Sequence, residues 1–354
     1  MNRQHILKAV AVALLFCGWA KAANIITFDA PGACTSCAGT GTIPTDINLL
    51  GTITGYYFDA SGVGHGFVRN LWWTITTFDA PGAVSGTFPI SINQAGVIVG
   101  YYSDAYQVFH GFLRAPEGAI TPINTPSAGD GDGQGTVVLD INQLGETAGS
   151  FIDGSYVYHA FLRSPNGVIT TVQVPPGTQS IFVTGPDGLN MEGAITGYYA
   201  DASFIFHGFL RNPSGDFISF DPPDASFTLG ISLNLLGTCT GFFYQDASGG
   251  FHGYLRAPDG SFKTFDPTGS SDTHPNSIND LGEIVGSYAD SSFVFHGFVR
   301  SPAGVITSFD APGAGTQPGA GTTPVANNLL GAITGEIEDD NSYVHGFVRL
   351  PSLE

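Results

Sequence analysis

The chain has 354 residues, 42% of them hydrophobic and 12% charged, with 49 glycines and 22 prolines. Eleven lysines and arginines face 30 aspartates and glutamates, a net charge of -19 that excludes the basic surface which nucleic acid or anionic lipid requires. Abundant Gly, Pro, aromatic and β-branched residues without helix-period patterning point to an all-β protein rich in turns.

The N-terminal stretch MNRQHILKAVAVALLFCGWAKAA has a basic start (Arg3, Lys8), an apolar run from Ala9 to Ala20 and a small-x-small site at Ala20-Lys21-Ala22. It reads as an export signal spanning residues 1–22, too short in its apolar part to anchor in a bilayer. Cleavage would leave eight basic residues against 30 acids, a net charge of -22, on a single domain of residues 23–354. The expectation is an exported monomer, extracellular or periplasmic, with no membrane span. Next comes NIITFDAPGA, a lone strand with no partner before it, followed by Cys34 and Cys37 in CTSC. In an exported chain this pair reads as a local disulfide rather than a redox motif.

From here the sequence repeats. A His-Gly-Phe or related triplet recurs at His65, His110, His159, His207, His252, His296 and His345, 44 to 49 residues apart, with Arg four residues after each His at 69, 114, 163, 211, 256, 300 and 349. An Asn-x-x-Gly turn precedes each triplet at Asn48, Asn93, Asn142, Asn190, Asn234, Asn279 and Asn328. Six residues before every His stands an aspartate: Asp59, Asp104, Asp153, Asp201, Asp246, Asp290 and Asp339. A period of this size is that of a four-stranded propeller blade. The run into the Asn is strand A; alternating segments such as GVIVGYY are strand B; HGFVR is strand C; after a Pro-Gly turn, VITSFDAP is strand D.

The expected fold is therefore a seven-bladed β-propeller with four antiparallel strands per blade. The chain starts with a strand D and ends, in HGFVRLPSLE, with a strand C. The N-terminal strand should complete the last blade and close the ring.

The columns resemble the HAF family of probable extracellular repeats, which combine an Asn-x-x-Gly turn, a Val-Val-Gly-like strand and a His-Ala-Phe triplet. HAFLR (159–163) and SINDLGEIVGSYADSSFVFHGF (277–298) carry the likeness, which covers essentially the mature chain. The sequence departs by preferring HGF, and by Arg where the family often has Trp. The resemblance implies an exported repeat protein and assigns no activity.

Seven equivalent positions around a ring cannot converge on one metal or one substrate. The repeated His and Asp read as framework: Asp fixes the B–C loop, His bonds to it or to the backbone, and Arg pairs with an acid or with carbonyls. Function is then sought on the face carrying the B–C loops and the variable D–A connections. Candidates there are Asp130, Asp132 and Gln134 in DGDGQG, where Asp130 and Asp132 suggest a calcium loop that lacks the closing Glu, and His274 in SSDTHPNS, read as an exposed loop residue. Cys239 reads as a buried apolar substitute. Beyond calcium no cofactor is indicated, and no nucleophile elbow, zinc spacing or phosphate loop is present. The favoured reading is a binding module for a glycan, a peptide or a surface protein, without catalysis. The alternative is an extracellular hydrolase or lyase with acids drawn from several blades.

Overall fold

The computed structural model describes residues 24–246 and 249–351, all-β with no helix; the expected export signal, residues 1–22, lies outside them. The strands pair as four-stranded antiparallel meanders. In the first unit, Thr42–Ile47 (A), Ile53–Phe58 (B), Gly64–Arg69 (C) and Ile75–Phe78 (D) pair in that order. The same ladder recurs in five further units that begin at Gly86, Gly135, Ser180, Phe227 and Asp272. The last unit takes Gly321–Asn327, Ile333–Glu338 and Val344–Arg349 as A, B and C, and its fourth strand is the N-terminal Ile25–Phe28, which pairs antiparallel with Val344–Arg349.

The Asn-x-x-Gly columns form the A–B turns. Asn48 Oδ1 accepts the N–H groups of Leu50 and Thr52, and Gly51 supplies a left-handed residue (φ 77°). The Asn amide does something the turn alone does not require. Asn48 Nδ2 donates to the carbonyl of Asn93 in the next unit; Asn93 donates to Asn142, Asn142 to Asn190, Asn190 to Asn234, Asn234 to Asn279, Asn279 to Asn328, and Asn328 back to Asn48 at 2.9 Å.

The core lies between units. Phe67, Phe112, Phe161, Phe209, Phe298 and Phe347 of the triplets are fully buried. Each of several packs edge-on against the strand-D Phe of the preceding unit: Phe28 on Phe67 (6.1 Å), Phe78 on Phe112 (6.3 Å), Phe309 on Phe347 (6.2 Å). Burying one such ring contributes roughly 2–3 kcal/mol, so both columns are fixed by the packing of one unit on the next. Unit 5 has Tyr254 in place of Phe, and its buried hydroxyl donates to the Leu229 carbonyl. In five units the repeated Arg lies over such a strand-D ring, as Arg114 does at 4.6 Å from Phe78 and Arg300 at 4.8 Å from Phe265. Of the expected acid or carbonyl partners the carbonyls are present, with Arg114 and Arg300 each donating to that of the next residue, and cation–π contact adds to them.

Candidate functional site

On the face bearing the B–C loops and D–A connections, His65, His110, His207 and His296 each sit between two polar residues. His159 Nε2 is 2.8 Å from Asp153 and His110 Nε2 is 3.1 Å from Asp104, the aspartates six residues upstream. The shorter contact in several units comes from elsewhere. The Asp after the strand-D Phe lies at Nδ1: Asp79 to His65 (2.8 Å), Asp221 to His207 (2.7 Å), Asp266 to His252 (2.8 Å), Asp310 to His296 (2.8 Å) and Asp29 to His345 (2.9 Å). The upstream contacts of His65, His207 and His296 lengthen to 3.5, 3.5 and 3.8 Å. Asp59, Asp153, Asp201 and Asp290 also accept two loop N–H groups each, and Asp339 does the same at Asn341 and Tyr343. The His159 bond and the Val157 N–H hold Asp153 below its usual carboxylate range. Asp246 stands at the same place in unit 5, beside a loop of which residues 247 and 248 lie outside the described set.

Sequence reasoning did not find a second polar centre. Two residues before the turn Asn, strand A is bulged in six units, between Pro44 and Asp46 for example. A bulge re-aims the side chain that follows it. Asp46, Ser91 and Asp140 from units 1, 2 and 3 meet there, and Asp187 of unit 4 reaches Ser277 of unit 6 at 2.6 Å. Groups from five units thus converge in one place. Asp46 also accepts the Ile92 N–H and Asp140 the Leu189 N–H, each from the following unit.

The protonation state follows from counting hydrogens. Ser91 Oγ is 3.1 Å from Asp46 Oδ2 and 2.8 Å from Asp140 Oδ1. A hydroxyl donates only one proton, so both bonds exist together only when one carboxyl is itself protonated and donates to Ser91. Burial, with the charge of Asp187 next, pushes Asp140 up to about 7 and Asp46 well above its ordinary value; burial raises Asp187 to about 6. These carboxyls are engaged in holding neighbouring A strands together, and the residues bonded to them include no histidine.

The candidates singled out in the sequence have other surroundings. Gln134 is buried and its Oε1 accepts the Gly131 N–H, so it closes its own loop instead of facing outward; Asp130 and Asp132 remain exposed on that loop. Among the described residues no group of three or more His, Cys, Asp and Glu gathers where it could hold a metal ion. His274 is not in an exposed loop. It lies in strand A of unit 6 (Asp272–Ile278), packed against Phe242 (4.7 Å) and Phe251 (5.4 Å), and burial lowers its pKa. Cys34 and Cys37 form a disulfide, and Cys239 is free and fully buried.

What the loop face does expose is aromatic. Three residues after the B–C Asp, all seven loops have a left-handed residue: Gly62, Gln107, Tyr156, Phe204, Gly249, Phe293 and Ser342. Tyr156, Phe204 and Phe293 hold φ of 60° to 62° and are 60%, 71% and 60% exposed; Tyr106, one position earlier in its loop, is 79% exposed. Beside these loops, at unit 5, Pro223, Asp224, Phe243, Gln245, Phe262 and Thr264 line a cavity of ≈ 450 Å³ with the His252–Asp266 pair.

Four-stranded meanders packed face to face define a β-propeller. No family model matches the chain, and no curated protein does. Solved structures do. Puromycin hydrolase superposes with a TM-score of 0.56 at 13% identity over 88% of this chain, which spans only 52% of that enzyme. TolB from Acinetobacter baumannii gives 0.47 at 9% identity, covering 85% of this chain and 80% of TolB. The six-bladed β-propeller lectin of Aleuria aurantia, described for its fucose recognition, gives 0.39 at 11% identity, covering 80% and 93%. Similarity of this order concerns fold. Among the described residues no helix is long and apolar enough to cross a membrane.

Proposed function

We propose that the chain is an exported, closed, seven-bladed propeller of the HAF-repeat type, acting as a binding module for glycans through its B–C and D–A loop face. Closure is supported by the N-terminal strand on Val344–Arg349, by the return of the Asn chain from Asn328 to Asn48, and by the Asp29–His345 pair. The repeated His and Asp serve as framework, since each His is bonded to an acid of its own blade.

The observation that carries the binding reading is the exposed aromatic rings on left-handed loop residues. A bulky side chain at φ near 60° costs about 1 kcal/mol or more, and glycine in units 1 and 5 shows that the loop does not need one. The strain places flat apolar rings in water beside acids and amides, the combination that stacks on a sugar and hydrogen-bonds its hydroxyls. The alternative, a hydrolase with acids from several blades, has its convergent acids bonded to backbone amides of neighbouring units.

The test is a glycan array with the wild type and a Tyr156→Gly, Phe204→Gly, Phe293→Gly triple variant. The variant should lose glycan retention while melting no lower than the wild type, since glycine relieves the backbone. Retained binding, or absence of any glycan ligand for the wild type, would refute the reading.

A further inference from the structure

Repetition exposes whatever departs from it. The middle of strand B carries Tyr56, Tyr101, Ser150, Tyr198, Phe242 and Ser287 in the first six units, and two residues on come Phe58, Ser103, Ile152, Ala200, Tyr244 and Ala289. In unit 7 these positions are Glu336 and Glu338, on one face of the same strand. The facing strand-A position, occupied by Ile43, Phe88, Val137, Phe182, Leu229 and His274 elsewhere, is Thr323.

At four other joints a ring fills the space between units, as where Phe182 packs at 4.7 Å on Tyr158, or His274 on Phe251. Between units 6 and 7 a cavity of ≈ 200 Å³ remains, lined by Phe295, Gly321, Thr323, Glu336, Glu338 and Val344. Gly321 is required there, because a Cβ would strike the Phe295 carbonyl. Glu336 is partly exposed along the cavity, but its Oε2 is withdrawn from solvent and bonded to nothing. A withdrawn carboxylate oxygen without a donor is costly unless something fills its place. Among the described residues no lysine or arginine pairs with either glutamate.

We propose that this cavity is a binding site for a short organic diammonium ion, with Glu336 holding one ammonium inside and Glu338 the other at the rim. Two residues along a strand set the carboxylates about 7 Å apart, close to the span of a four-carbon diamine. Phe295 offers its ring to the cation and Val344 its methyls to the chain linking the nitrogens. A calcium ion fits poorly, because it takes roughly six to eight oxygens and these walls are largely apolar or glycine. The titratable groups facing Glu336 are the charged Glu338 on its own strand and the neutral Tyr56 phenol of unit 1, pushed up to about 12 by burial. Burial, with Glu338 next, pushes Glu336 up to about 7, so an ammonium must displace a proton and binding strengthens as pH rises through neutrality.

The experiment is calorimetric titration of the protein with 1,4-diaminobutane, n-butylamine and calcium at pH 6 and 8, using wild type, Glu336→Gln, Glu338→Gln and Phe262→Ala. The expected result is one-to-one diamine binding, tighter at pH 8, weakened about tenfold or more by either glutamine variant and unchanged by Phe262→Ala. Phe262 belongs to the unit 5 cavity, so failure of the glycan reading leaves this result untouched. The glutamine variants keep side-chain shape, and an unchanged melting temperature verifies their fold. No heat with the diamine, affinity for n-butylamine equal to that for the diamine, equal affinity in Glu336→Gln, or calcium in preference to the diamine would each overturn the proposal.

Discussion

Replacing Asp140 by Asn isolates the proton held where the acids converge. Asp140 has a folded-state pKa of about 7 against an ordinary 3.8, a rise of ~3 units, and each unit is worth about 1.4 kcal/mol. Because the folded pKa is raised, the contribution is fully present below pH ~4 and is lost as pH rises through ~7. Asp140 alone then removes ~4 kcal/mol of stability between those limits. The Asn side chain cannot reproduce every acceptor that Asp140 offers to Ile141, Leu189 and Ser91, so the variant starts with a constant penalty. That penalty shifts the curve without tilting it. The assay is urea unfolding of both proteins at half-unit intervals from pH 4 to 8. The wild-type free energy should fall more steeply by up to ~1.4 kcal/mol per pH unit, bringing the two curves together toward pH 8. Parallel curves would show that no proton resides there, and the hydrogen count at Ser91 would be wrong.

Deleting Asn24 to Pro31 removes Ile26 and Phe28 from the joint with Phe67 and takes Asp29 from His345. The loss of roughly 4 kcal/mol of burial should lower the melting temperature by ~6 °C, read by scanning calorimetry; an unchanged value would refute closure by this strand. Calcium followed by a chelator should leave the melting temperature unmoved, because Gln134 is already bonded to Gly131; a reversible rise would show that Asp130 and Asp132 recruit the ion by another route.

The ladder of four strands was legible because Asn, Asp, His and Arg recur at fixed spacing and turn chemistry marks each boundary. The second partner of each histidine was harder to see. Asp79 follows its His by fourteen residues across two strands, and in unit 2 the same place holds Asn124. The convergent acids were hidden twice. A bulge after Pro44 or Val138 breaks the alternation that assigns side chains to faces, and the column mixes Asp46 and Asp140 with Ser91, Ser232 and Ser277. Asp187 arrives from a different position, in the unit where strand A stops at Val183. The loop-tip aromatics were readable in principle, as the places where Tyr156, Phe204 and Phe293 align with Gly62 and Gly249.

The pairing of Ile25–Phe28 with Val344–Arg349 also sets an order of events. During synthesis the first strand emerges hundreds of residues ahead of its only partner, so the other units can assemble from local contacts while it waits. A chain lacking Val344–Arg349 would leave Ile25–Phe28 without its pairing strand and Asp29 without His345, while Phe28 kept its contact with Phe67. Resistance to proteolysis would then report whether Val344–Arg349 had been made and paired.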